Sequence, residues 1–204
     1  MSCQALLRIR RFDASYAEPV RLPDGTALLL RPLGPGDAAR ISDLFERLSP
    51  HSRQLRFLYS KTTLSEGELH TLSDVDGEQR FAIAACQPER GGRMVGVARF
   101  VVTGEGPREA EVAVAVTDEL QGRGLGRCLL RRLIEAARER DLGSLHFDVS
   151  EENAAMIGLL HAELPGARFG LAHQGVRSID SELGEARRGG SLDRPELTSA
   201  GKAP

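Results

Sequence analysis

The sequence predicts an α/β domain with a sheet of about six or seven strands and about four helices. Two observations carry that class. The middle of the chain alternates apolar runs with hairpin-type turns, and the last of these runs passes through a glycine-rich segment into an amphipathic helix, followed by one more strand and helix. With 204 residues, 41% of them hydrophobic and 27% charged, the chain suits one domain with tails. The expected division is an N-terminal extension over 1–22, the domain over 23–183, and a tail over 184–204. That tail is rich in Gly, Ser, Pro and charge, a composition that predicts disorder.

Taken in order, Thr26 to Leu33 reads as a first strand. Asp37 then caps a helix whose apolar positions Ile41, Leu44, Phe45 and Leu48 follow helical spacing, and Ser49-Pro50 ends it. Further helical stretches fall at Arg53 to Leu58 and Glu66 to Leu72. Three strands follow, Phe81 to Cys86, Met94 to Val102 and Ala110 to Thr117. Gly91-Gly92 and Gly104-Glu105-Gly106-Pro107 lie between them, which predicts an antiparallel meander. A helix to about Arg140, with Leu129, Leu130, Leu133, Ile134 and Ala137 on one side, leads to a strand at Ser144 to Val149 and a helix from about Asn153 to Leu164. Weaker strands fall near Phe169 to His173 and Val176 to Leu183.

Composition excludes several partners. Lys and Arg number 27 against 29 Asp and Glu, a formal charge of −2, so no basic surplus invites nucleic acid. No segment has the length and apolarity of a signal peptide or a membrane span, and a soluble, cytoplasmic protein is expected. Cys3, Cys86 and Cys128 form neither a disulfide framework nor a zinc pattern, and Cys128, on the apolar side of its helix, reads as packing. The histidines His51, His70, His146 and His173 show no metal spacing, so no metal is expected. Arg47, Arg53 and Arg56 offer either a basic rim for an acidic surface or an ordinary solvated face.

The segment Gln121-Gly122-Arg123-Gly124-Leu125-Gly126-Arg127 carries the most chemical information. A strand that turns through glycines into a helix aims several free N–H groups and the positive helix end at one phosphate-bearing ligand, and Arg123 and Arg127 would add charge. A dinucleotide fold would place a third glycine where Arg127 stands and would not follow a hairpin meander. A Walker A loop would need Gly-Lys-Ser/Thr at its end.

The segment resembles the acetyl-CoA signature of GCN5-related N-acetyltransferases (GNAT), Gln/Arg-x-x-Gly-x-Gly/Ala, and the order of elements over about residues 25 to 180 matches that family. Leu30-Arg31-Pro32 and the run Phe45 to Phe57 look like the catalytic domain of bacterial Pat-type protein lysine acetyltransferases. No acyl-CoA-synthetase-like or cyclic-nucleotide-binding module is legible beside it. The resemblance implies a mixed, mostly antiparallel GNAT sheet with acetyl-CoA as cosubstrate. Residues 121–127 would hold its pyrophosphate, main-chain groups of Val114 and Val116 its pantetheine arm, and Asn153 would bond that arm unless it is only a helix cap. The acceptor is expected to be a primary amine, with a protein lysine favoured. A small amine, or a non-catalytic acyl-CoA sensor, is the alternative.

A lysine ammonium must lose a proton before it attacks. Ala110-Glu111-Val112-Ala113-Val114 matches the segment that carries the Pat-type catalytic glutamate, so Glu111 is the expected base, with part-burial raising its affinity for a proton. Glu109, two residues earlier, could share its face. No general acid is evident: Leu160 occupies the position where many relatives carry tyrosine, and the adjacent His161 points elsewhere on the helix. The ending Glu163-Leu164-Pro165-Gly166-Ala167 also departs from the family's usual Leu-Gly-Phe. Oligomeric state is not legible.

Overall fold

The structure, a computed structural model, describes residues 10–103 and 108–184. Its sheet has eight strands: β1 (Glu18–Arg21), β2 (Ala27–Pro32), β3 (Arg80–Gln87), β4 (Arg93–Thr103), β5 (Glu109–Val116), β6 (Ser144–Ser150), β7 (Arg168–Phe169) and β8 (Val176–Glu182). They lie in the order β1-β2-β3-β4-β5-β6-β8-β7, and only β5 and β6 pair in parallel. The α-helices are α1 (Ala38–Glu46), α2 (Pro50–Phe57), α3 (Glu66–Ser73), α4 (Leu125–Glu139) and α5 (Ala154–Glu163).

The predicted meander is β3-β4-β5, antiparallel throughout. The eighth strand, β1, comes from the segment expected to be an extension. It is short and polar, so its sequence carries no strand signal, yet it pairs with β2, and Phe12 and Tyr16 beside it are buried. Glu18 ties this edge to α4, taking two bonds from Arg132 (2.8 and 2.7 Å) and one from Tyr16. The expected tail over 184–204 and the turn 104–107 lie outside the described residues, apart from Gly184, as does Cys3.

Each face of the sheet is covered. On one, α4 buries Leu129, Leu130, Leu133 and Ile134 against Phe81, Val95, Phe100 and Val112. Gly96 permits this close approach: a Cβ there would meet Leu129 Cδ1 at 3.0 Å and Ala115 O at 3.2 Å. On the other face, Ile41 and Leu44 of α1 pack on Ala82, Ala84 and Met94, with Leu69 and Leu72 of α3 beside them.

Two local expectations change. Asp37 precedes α1 but does not cap it with its side chain. Its carboxylate instead accepts from Gly34 N (2.9 Å) and forks with Arg31 at 2.7 Å, a stronger charge-assisted pair than a cap. Ser49, expected to close a helix, opens one, its Oγ accepting from Ser52 N (3.1 Å) ahead of Pro50 at the first turn of α2.

Candidate active site

The parallel pairing of β5 with β6 runs through Glu109, Ala110 and Glu111 and then stops, with Glu111 opposite His146. Beyond Glu111 the strands part, and a groove of about 570 Å³ opens between them, walled by α2 on one side and α5 on the other. Thr117 N donates to Val95 O (3.0 Å), so by alternation the main-chain groups of Ala113 and Ala115 face β4 while those of Val114 and Val116 face the gap. The N–H groups of Val114 and Val116 are therefore presented along the groove. The Val116 carbonyl is already engaged, accepting from Gln121 Nε2 at 3.0 Å, which corrects the expectation that both its main-chain groups stand free.

At the far end of the groove the chain passes through Gly122 (φ +70°) and Gly124 (φ +92°), conformations that side chains disfavour, and enters α4. Among the described residues no N–H of residues 122–127 has a main-chain acceptor. The first helical bond is Cys128 N to Gly124 O, 3.0 Å. This run of donors at the positive end of a fifteen-residue helix is chemically suited to an anion. Gly122, Gly124, Gly126 and Arg127 line the groove. Leu125 does not: its side chain is fully buried in the core, leaving only its main chain to the loop. Arg123 turns away to Asp24 (3.0 Å), and Arg127 is paired with Glu163 (2.9 Å), so neither guanidinium is unpartnered.

A polar network fixes α2 to this loop. Asp118 accepts from Ser49 N (2.9 Å), Ser49 Oγ (2.6 Å) and Ser52 Oγ (2.7 Å), and Gln121 Nε2 donates to Ser52 Oγ (3.0 Å). Burial pushes the Asp118 carboxyl up, but the serine donors outweigh it and hold the group below its ordinary value. Neither Asp118 nor Ser52 was picked out by the sequence, because the two meet only in the fold, 66 positions apart.

Asn153 caps α5, its Oδ1 accepting from Met156 N (3.0 Å), and it also lines the groove; its Nδ2 has no partner among the described residues. The cap therefore leaves that donor available at the groove. Glu111 lines the groove where the strands part, but it is exposed, not part-buried as expected. The open sheet face beside it carries Glu109, His146, Asp148 and Asp180. His146 is half-buried and bonds Asp180 through Nδ1 (2.7 Å), with Asp148 3.3 Å from Nε2. Oxygens of Glu109 and Asp180 and a ring nitrogen of His146 lie within 4.8 Å of one another, a grouping that no sequence spacing signals.

Leu160 is fully buried, and His161 stacks on Phe169 (centroids 3.7 Å apart), so no acid from that turn faces the groove. Burial pushes the Cys86 and Cys128 thiols up, as packing residues require. Arg47 and Arg53 form no basic rim. Arg47 holds Asp43 (2.8 Å) and Met94 O, while Arg53 donates to the Phe45, Glu46 and Thr62 carbonyls. No described helix is long and apolar enough to cross a membrane.

Comparison with known proteins agrees with this geometry. The profile of the Acetyltransferase (GNAT) family matches residues 42–164. Acetyltransferase PA5475 of Pseudomonas aeruginosa is 37% identical over 136 residues, 66% of this chain and 73% of that protein. Acetyltransferase Pat of Mycolicibacterium smegmatis is 32% identical over 138 residues, 68% of this chain and 41% of that longer protein. Among solved structures, the GNAT domain of S. lividans PAT superposes with a TM-score of 0.74 at 28% identity, covering 84% of this chain and 99% of that one.

Proposed function

The chain belongs to the GNAT family and is an acetyl-CoA-dependent N-acetyltransferase, and we propose that it acetylates a primary amine, in the first place a protein lysine, by direct attack with Glu111 as general base. The observation that carries this reading is the position of Glu111 at the point where β5 and β6 part. There a carboxylate stands next to free strand N–H groups that lead to the amide cradle of residues 122–127.

The chain's residues divide the work along the groove. The 122–127 amides bind the pyrophosphate, and the Val114 and Val116 N–H groups pair with the pantetheine arm as an added strand would. A gap-facing N–H polarises the thioester carbonyl. Asn153 Nδ2 is a further donor to the arm. Glu111 accepts a proton from the acceptor ammonium, directly or through one water. The freed amine nitrogen then bonds to the thioester carbon as the carbon–sulfur bond breaks, and the second proton that this nitrogen sheds to become an amide passes, directly or through solvent, to the departing CoA thiolate. An exposed base suits a long side chain arriving from solvent, and Glu109, Asp148 and Asp180 around it attract a cation. A bound acceptor would supply the cover that the free chain lacks at Glu111.

The test is CoA release from acetyl-CoA with a protein fraction and with a panel of small amines, run for the wild type and Glu111→Gln. The expected result is turnover on the protein fraction that falls by about a hundredfold or more in Glu111→Gln, with acetyl-CoA affinity kept. Equal turnover in the two proteins would remove Glu111 as base, and turnover on small amines alone would remove the protein acceptor.

A further inference from the structure

Among the described arginines that are buried or part-exposed, Arg56 is out of keeping with the rest. Arg31 forks with Asp37, Arg47 and Arg53 are bonded as described above, and the buried Arg140 donates to the carbonyls of Phe12 (2.9 Å), Ala136 (2.9 Å) and Gly77 (2.7 Å). Arg56, on the last turn of α2, donates no hydrogen bond and forms no ion pair among the described residues, although it is only part-exposed. Its guanidinium rests over the Phe57 ring, 5.0 Å from the centroid, and Arg56 lines the same groove as Glu111. It also lines a small apolar recess of about 40 Å³ shared with Arg99, Ala113 and Ala115.

Arg99 compounds the excess of positive charge. It is 8% exposed, stands on β4 opposite Ala113 of β5, and among the described residues donates only to the carbonyls of Leu72 (3.3 Å) and Thr71 (3.4 Å) at the end of α3. Burial, then the neighbouring Arg99, push the Arg56 guanidinium down to about 10, while Glu111 opposes them; Arg56 remains charged at neutral pH. With a second cation near it and no acceptor among the described residues, the Arg56 donor fork is unfilled, and an anion is what fills it.

We propose that Arg56, backed by Arg99, is a carboxylate-binding group of the acceptor site, so that the preferred acceptor presents a carboxylate close to the amine that Glu111 deprotonates. The site then carries a charge pair complementary to its ligand: Glu111 toward the ammonium, Arg56 toward the carboxylate. The carboxylate has two possible sources, an acidic residue beside the acceptor lysine in a protein or the α-carboxylate of a free amino acid. This inference rests on the reading of the Glu111 end of the groove as the acceptor end.

The test compares free lysine, end-capped Glu-Lys-Ala and end-capped Ala-Lys-Ala as acceptors for the wild type, Arg56→Gln and Arg56→Lys, with thermal unfolding to verify that each variant is folded. In the wild type, kcat/KM for at least one carboxylate-bearing acceptor exceeds that for Ala-Lys-Ala by about tenfold to a hundredfold. Arg56→Gln brings this ratio close to one, mainly through KM, and Arg56→Lys restores part of it by charge without the fork. Which carboxylate-bearing acceptor is preferred identifies the source. A wild type that does not discriminate, or a ratio that Arg56→Gln leaves intact, overturns the proposal. Calorimetric titration of the same three compounds into CoA-saturated protein separates the two claims. If no acceptor turns over, the acetylation reading fails, while carboxylate-dependent binding lost in Arg56→Gln still upholds Arg56; its absence in the wild type refutes Arg56.

Discussion

Asn153 shows how one side chain serves the fold and the groove at once. Its Oδ1 caps α5 and its Nδ2 is left over at the groove wall. Asn153→Asp keeps the capping oxygen and removes the donor, so thermal stability should hold while acetyl-CoA affinity falls. Asn153→Ala should lose both, with about 1 kcal/mol of stability gone with the cap. Chemical denaturation beside a binding titration reads the two effects separately. Full acetyl-CoA affinity in Asn153→Asp would mean that the cap alone matters. At this scale the sequence was legible where function is contiguous. The glycine loop and the Ala110–Val114 segment announce themselves, whereas Ser52, Asp118, Arg56 and Arg99 act only through partners brought together by folding. Arg56 illustrates the limit: a charge within a basic run reads as a solvated face until the fold turns it into a groove.

Elements were easier to read than their joints. Apolar runs and glycine turns located β2 to β6, and helical spacing located α1 and α4, because those segments bury one face or both against a core. β1 escaped because its four residues stabilise the fold by pairing and by the Glu18 ion pair, with little apolar burial. Arg132 holds the Glu18 carboxyl down at about 2 against burial, with Tyr16 helping. A depressed carboxyl stabilises the fold above its ordinary value of 4.5 and loses that contribution as pH falls toward 2. Glu18→Gln should therefore flatten the fall in Tm between about pH 5 and pH 2, and an unchanged slope would deny the tie between β1 and α4. Packing of α4 on β4 has an equally local test. Gly96→Val would drive atoms into Leu129 and the Ala115 carbonyl, costing about 1 to 3 kcal/mol in denaturant unfolding. A neutral result would mean that α4 shifts freely, which its buried leucines oppose.

Over the whole molecule, the proposed function rests on a gap in the sheet. Among the described residues eight strands form one sheet, and its parallel β5–β6 pairing stops beyond Glu111. That failure brings the strand N–H groups, the amide cradle before α4 and the cap of α5 to a single groove. Periodicity does not encode it, since β5 is as apolar beyond Glu111 as a paired strand would be. Only the family resemblance implied the gap. The most direct test of this account is residue-resolved amide hydrogen exchange with and without acetyl-CoA. Acetyl-CoA should slow exchange at Val114, Val116 and residues 122–127, while Ala113 and Ala115, already turned to β4, change little. Slowing spread evenly over residues 113–116, or confined to the loop with Val114 untouched, would contradict the seating of the cofactor arm in the gap.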